Sequence, residues 1–276
     1  MDRLVITDAM WTGWMGKLLY VPLLNVLVLL YVYIPGSDLG IAIVVLTILI
    51  RLVLYPSYKT SIKSQRDIQK IQPYIEKIKE QYKDDKKKQS EEVMRVYKEH
   101  NVNLFASCLP LIIQLPIIFA LYRVFFAGLT TESLAHLYSW FPNAPIELHT
   151  TFLAFTNWQP AMIDLTERSI FLAIFAGLSQ FFQSWITNRY QKKARAANSD
   201  NSVFSKMMGG PMMLYIFPVI TLVIAWTLPA ALGLYWATTT LTMAVQQIII
   251  YHSLAKQEQK VIEATQRAED EPENQN

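Results

Sequence analysis

The segment LGIAIVVLTILIRLVLYP, residues 39–56, decides how the chain is read, because it sets one arginine inside an apolar run long enough for lipid. A helix rises about 1.5 Å per residue and needs roughly 20 apolar residues to cross a hydrocarbon core, so this run is close to span length. An arginine at bilayer centre costs at least about 2.5 kcal/mol, and a paired carboxylate is the usual remedy. Arg51 has no acidic residue in its own segment.

The rest of the composition agrees with a membrane setting. The 276 residues are 52% hydrophobic and 17% charged, which fits neither a disordered chain nor an ordinary soluble domain. Net charge is only +3, so the distribution of charge carries the information. The single cysteine, Cys108, excludes an internal disulfide framework and a Cys-based metal cluster, and its apolar neighbours suggest a small core residue. The N-terminal MDRLVITDAMWTGWMGK lacks the basic, apolar and small-residue regions of a removable secretory signal, and no lipoprotein-type cysteine stands near it.

Further apolar runs cover Leu104 to Gly128, Ile170 to Thr187 and Met212 to Tyr251. The last is too long for one span, and TLPAALG at Thr227 to Gly233 divides it into two. Leu18 to Ile34 is open to two readings: a sixth span, or a helix along the interface with Asn25 and its tyrosines toward headgroups. The chain thus divides into an N-terminal segment 1–38, spans at 39–56, 103–128, 169–187, 211–228 and 230–251, connections at 57–102, 129–168 and 188–210, and a tail at 252–276 expected to be disordered.

Lysine and arginine concentrate on the cytoplasmic side of membrane proteins. Ser57 to His100 holds about a dozen; Arg189, Lys192, Lys193, Arg195 and Lys206 mark the second basic connection, and Lys256, Lys260 and Arg267 mark the tail. These three regions are assigned to the cytoplasm. Leu129 to Arg168 is nearly free of basic residues and carries Trp140 and Trp158, suited to the opposite interface. With five spans the N-terminus lies outside and the C-terminus inside. Within 57–102, Ile68, Ile71, Ile75, Ile78 and Tyr82 recur at spacings of three and four, and after the polar KDDKKKQS a second helix follows with Val93 and Tyr97 on one side. The pattern predicts a helical hairpin, read either as an ordinary solvated helix pair or as a basic arm for a ribosome, a targeting receptor or anionic lipid.

Polar residues inside the spans fall into stripes at about 100° per residue. Thr47 and Arg51 are one turn apart. Asn103, Ser107 and Gln114 share a face, as do Ser179 and Gln183 with Gln180 and Thr187 beside them, and so do Tyr235, Thr239, Thr242 and Gln246. For any single Ser, Thr or Gln the default is interhelical hydrogen bonding, worth about 0.6 kcal/mol. Arg51 is different, because no Asp or Glu lies in any of the five spans. It either snorkels past Tyr55 and Pro56 to the headgroups or stays hydrated in a polar cavity as a fixed cation awaiting an acidic group.

The stretches around Arg51, KSQRDIQKIQPYIEKIKEQY, YKEHNVNLFASCLPLIIQLPIIFALYRVF, LAIFAGLSQFFQSWIT and FPVITLVIAWTLPAALGLYWATTTLTMAVQQIII cover most of residues 18–251. In this order they resemble the YidC family of membrane protein insertases, the bacterial branch of the superfamily with the mitochondrial Oxa and chloroplast Alb proteins. The resemblance implies an all-α integral membrane protein of five transmembrane helices around a hydrophilic groove, with a cytoplasmic helical hairpin and an outer interfacial helix at 18–34. It implies that Arg51 and Thr47 line the groove with Gln183, or its neighbour Gln180, and with Tyr235 and Trp236; the stripes add Gln114 and Thr239. It also implies a non-enzymatic insertase without cofactor in the bacterial inner membrane. Its expected partners are nascent membrane proteins and the phospholipid bilayer, with the ribosome, the signal recognition particle receptor and the Sec translocon as candidates and no specific nucleic-acid sequence. The acidic ending RAEDEPENQN departs from the long basic tail by which some relatives hold ribosomes.

Two other classes make demands that the sequence does not meet. A small-solute transporter predicts internal repeats or broken helices at midplane, and no repeat is visible. An intramembrane hydrolase needs a nucleophile with a base, paired aspartates or a metal motif. His100, His136, His149 and His252 all fall outside the spans or at their ends, and no Gly-rich phosphate loop is present.

Overall fold

The computed structural model describes residues 16–127, 137–139, 141, 148–153, 162–195 and 212–270. Trp140, Trp158, His136 and Lys206 lie outside the described residues, as do the side chains of Lys192, Lys193 and Arg195. The protein is an all-α membrane protein. A π turn at Gly16–Tyr20 leads into α1 (Val21–Tyr33), followed by α2 (Leu39–Val53), α3 (Tyr55–Gln81), α4 (Lys86–Glu99), α5 (Leu104–Ala127) and α6 (Ile170–Arg195). A second π turn at Met212–Ile216 precedes α7 (Phe217–Thr227), and α8 runs from Ala230 to Asp270. The only strands among the described residues are β1 (Thr151–Phe152) and β2 (Ile163–Asp164), a two-rung antiparallel ribbon.

Three described helical stretches are long and apolar enough to cross a membrane: Gly16–Tyr33, Leu104–Phe125 and Ile170–Tyr190. A fourth is added if α2 and α3, bent by 60° at their junction, count as one. The bend follows from Pro56, which has no N–H to donate but is well placed in the first turn of α3. The apolar run Leu214–Thr227 is shorter, and the polar face of α8 dilutes its hydropathy. Phe171, Leu178, Val219, Val223 and Trp226 project outward from α6 and α7, an arrangement suited to lipid rather than water.

At the ribbon end the chain is closely packed. Leu24, Leu27 and Val28 of α1, Leu39, Ala42 and Ile43 of α2, Leu121 and Val124 of α5, and Ala231 and Leu234 of α8 form one core with Leu148 and Leu165 of the connection. The connection is stitched to the helix ends: the N–H groups of Ala230 and Ala231 donate to the carbonyls of Glu167 and Leu165 at 2.7 and 2.9 Å. Asp38 caps α2 by accepting from the Ile41 N–H at 3.0 Å, and its second oxygen accepts from the Leu153 N–H at 2.6 Å. Gly40 has no side chain because the Phe152 ring lies on it; a Cβ there would come within 2.0 Å of Phe152 Cδ2.

Three expectations need revision. Asn25 does not face headgroups; it is 3% exposed, donates to the Val21 carbonyl and accepts from the Tyr138 N–H at 2.8 Å. Tyr20 and Tyr31 are likewise buried, and Tyr31 accepts from the His149 N–H, so only Tyr33 of that helix faces outward. An amide that satisfies two backbone groups is worth more inside than at an interface. Cys108 is exposed rather than a core residue. The tail does not become disordered at 252, because α8 continues as helix to Asp270. Its Ala, Lys, Gln and Glu residues are strong helix formers, Leu254 packs on Tyr58 and Ile62 of α3, and Glu258 accepts from Lys70 at 2.6 Å and pairs with Arg66.

At the hairpin end α3 and α4 pack through Ile71, Ile75 and Val96, flanked by Ile78, Val93 and Tyr97. Gln89 closes their turn by donating to the Lys79 carbonyl at 2.8 Å. The base of α3 is tied to α5 by Ser61, which donates to the Ser107 carbonyl at 3.0 Å.

Asp38→Ala leaves two N–H groups without their acceptor, so it should destabilise the protein by about 2 kcal/mol or more. Thermal unfolding in detergent should show a lowered midpoint, with part recovered in Asp38→Asn. An unchanged midpoint for the Ala variant would show that the ribbon end does not depend on this carboxylate.

Candidate functional site

Arg51 occupies the last turn of α2, where the helix C-terminus favours a cation. It is 4% exposed. Its guanidinium is packed against side chains of neighbouring helices. The nearest polar help comes from α5 and α8. Nη2 of Arg51 donates to Oε1 of Gln114, and Nε2 of Gln114 donates to the Tyr235 hydroxyl at 2.7 Å. The Arg51 backbone carbonyl accepts from Nε2 of Gln246 at 3.0 Å. Among the described residues no carboxylate lies within ion-pair distance of the guanidinium, and Nε is buried without a hydrogen-bond partner. The cation is therefore held by two neutral groups, the Gln114 amide and the Tyr235 hydroxyl, with Nε left over.

A second chain of polar groups joins α6 to α8. The Trp236 indole N–H donates to Oε1 of Gln180 at 3.4 Å, and Nε2 of Gln180 lies 3.2 Å from Oε1 of Gln183 and 3.3 Å from Oγ of Ser184. Gln183 in turn donates to Thr187 at 3.3 Å, and the Thr187 hydroxyl reaches Oε1 of Gln247 at 3.0 Å. Gln180 and Gln183 thus belong to one network. Backbones approach closely here because Ala173, Ala176, Ala225 and Ala237 form the contact between α6, α7 and α8.

The remaining expected residues are placed less directly. Thr47 is 1% exposed and one turn before Arg51, but its hydroxyl donates at 2.6 Å to the Ile43 carbonyl of its own helix. Thr239 is buried on the Arg51-facing stripe of α8 with its hydroxyl unpartnered, and Oε1 of Gln246 is buried and unpartnered as well. Ser184 and Gln247 take part without having been singled out from sequence. Gln247 sits about 100° around the helix from Gln246 and so left the stripe that was counted, although two adjacent glutamines in an apolar run were the visible signal.

Residues 30–258 match the family described as 60Kd inner membrane protein. The chain is 30% identical over 214 residues to the membrane protein insertase YidC of Fusobacterium nucleatum, covering 78% of this chain and 86% of that protein. It is 33% identical over 217 residues to the membrane protein insertase YidC of Clostridium tetani, covering 78% and 82%, and 30% identical over 224 residues to the membrane protein insertase MisCB of Bacillus subtilis, covering 78% and 72%.

The two buried threonines should behave differently. Thr187→Val removes a partner of buried Gln247 and should cost about 1–3 kcal/mol, whereas Thr239→Val replaces an unpartnered hydroxyl and should leave stability unchanged or raised. Unfolding midpoints in one detergent compare them. Equal losses would mean that the Thr239 hydroxyl has a structural partner after all.

Proposed function

Because the chain belongs to the 60Kd inner membrane protein family and is a membrane protein insertase of the bacterial membrane, we propose that Arg51 and the polar network beside it receive the polar segments of its clients. The observation that carries this reading is a buried cation whose side-chain partners, Gln114 and Tyr235, are neutral and whose Nε–H is free. Such a group gains a charge-assisted hydrogen bond from a carboxylate.

In this reading α2, α5, α6, α7 with its preceding turn, and the first half of α8 cross the membrane. The ribbon end faces outward and the hairpin end faces the cytoplasm, with the N-terminus outside. Basic residues on α3, α4 and the end of α8 support that orientation. A client's extracytoplasmic segment enters from the cytoplasmic side and meets Arg51, Gln114, Gln180, Gln183, Trp236 and Thr239, which lower its desolvation cost. Its apolar helix moves into lipid along the outward faces of α6 and α7. Hydrophobic transfer drives insertion, and the membrane potential adds about 2.3 kcal/mol per charge per 100 mV for acidic residues drawn outward. No nucleotide or covalent step is required. The described part of the ribbon end is tightly packed, and the named relatives are insertases, so the transporter reading is set aside.

The hairpin is the natural platform for delivery partners such as the ribosome, the signal recognition particle receptor or the Sec translocon. Lys86, Lys87 and Lys88 crowd the start of α4, a surface suited to anionic partners.

The test is insertion of a single-span client with an acidic outer segment into liposomes holding the purified protein. Arg51→Ala should lower insertion by about tenfold, equivalent to ~1.4 kcal/mol, and Arg51→Lys should restore part of it, because an ammonium keeps the charge but not the planar fork. Full insertion by the Ala variant would remove the electrostatic role.

A further inference from the structure

Gln114 is the residue that touches both the buried cation and the buried phenol of the site. Its carbonyl accepts from Arg51 and its amide donates to Tyr235, yet it is only half-buried while both partners are fully so. The cation is therefore covered in part by a group that can itself be approached, the buried Tyr235 hydroxyl being its other hydrogen-bond partner. Pro110 and Pro116 flank Gln114 on α5, so the local backbone lacks two of the N–H groups that would otherwise brace it.

The geometry of the guanidinium adds the decisive point. Nε–H and Nη2–H lie on one edge, parallel and spaced for the two oxygens of a carboxylate. Gln114 offers one oxygen, which serves Nη2, and Nε is left buried without a partner. We infer that Gln114 is a displaceable cover over Arg51 that sets the preference of the site for client carboxylates over neutral polar groups. The inference rests on the reading of Arg51 as the client-binding cation. A client carboxylate satisfies both donors on the edge and can take the place of the amide. A client Asn, Gln or Ser brings a single oxygen to the fork, no more than Gln114 already provides, so it has no advantage with which to dislodge the cover. Gln114 is thus a specificity-determining positioning residue. It shields the charge when no client is present and gives way to acidic ones.

The experiment uses the full-length protein in liposomes and two single-span clients differing only in the outer segment, one bearing Asp and Glu, the other Asn and Gln. The readout is the ratio of acidic to neutral client inserted, which general loss of folded protein does not shift. Gln114→Glu places a resident carboxylate on the fork and should lower the ratio by about tenfold, while Gln114→Met removes the competing oxygen and should raise it by roughly threefold. Gln114→Leu carries the same expectation as Met and replaces it should the Met variant not fold. Arg51→Ala is measured alongside. If it lowers the ratio but Gln114→Glu leaves the wild-type value, or if Met and Leu lower it, the cover is refuted with the cation's role intact. If Arg51→Ala leaves the ratio unchanged, the underlying reading of the cation fails instead.

Discussion

The rest of the structure is arranged around a charge that cannot easily be where it is. A guanidinium at 4% exposure has lost most of its hydration, and among the described residues no carboxylate compensates it. What holds it is distributed. The C-terminal end of α2 contributes its dipole, Gln114 an oxygen from α5, and Tyr235 and Gln246 the surrounding contacts from α8. Three helices must meet at one level for this to work. The 60° bend that follows Arg51 turns the chain away at the same level, so the charge sits at the elbow between a membrane helix and the arm beyond it.

The two ends of the bundle are built on different principles. At the ribbon end apolar side chains from α1, α2, α5 and α8 interlock, and Asp38, Asn25 and Tyr31 fasten the connection by its backbone N–H groups. Away from it, amides and hydroxyls of α6 and α8 are buried between smaller apolar clusters, several of them incompletely partnered. A bundle made only for stability would place apolar groups there, since unpartnered buried polar atoms cost about 1–3 kcal/mol each. Their retention fits an insertase, which must offer polar company to a segment that lipid rejects.

Much of this was legible in the sequence, for reasons that can be traced. The helical class and the membrane setting followed from long apolar runs whose period cannot be confused with strands. The hairpin's apolar contact followed the three-and-four spacing of Ile71, Ile75 and Ile78. The stripe rule brought Gln114, Tyr235 and Gln246 to the correct side, because interhelical polar contacts require a shared face. It failed where adjacency mattered: Gln247 lay off the counted stripe, and Thr47, although on the right face, spends its hydroxyl on its own helix. Asn25 was misread because the sequence shows that an amide is polar but not that a distant backbone N–H, at Tyr138, waits for it. The helical continuation past 252 was not foreseen because Leu254 and Glu258 have partners on α3 that only tertiary structure supplies. The contact of Gln114 with Arg51 also depended on tertiary packing.

The central claim is that clients pass beside Arg51 rather than elsewhere on the molecule. Site-specific photo-crosslinking of a stalled client, with the probe placed in turn at position 183 beside the polar network and at position 148 in the ribbon-end core, tests it most directly. The account expects strong crosslinks from position 183 to the client's polar segment and none from position 148. Equal crosslinking from both positions, or crosslinks from 148 alone, would contradict it.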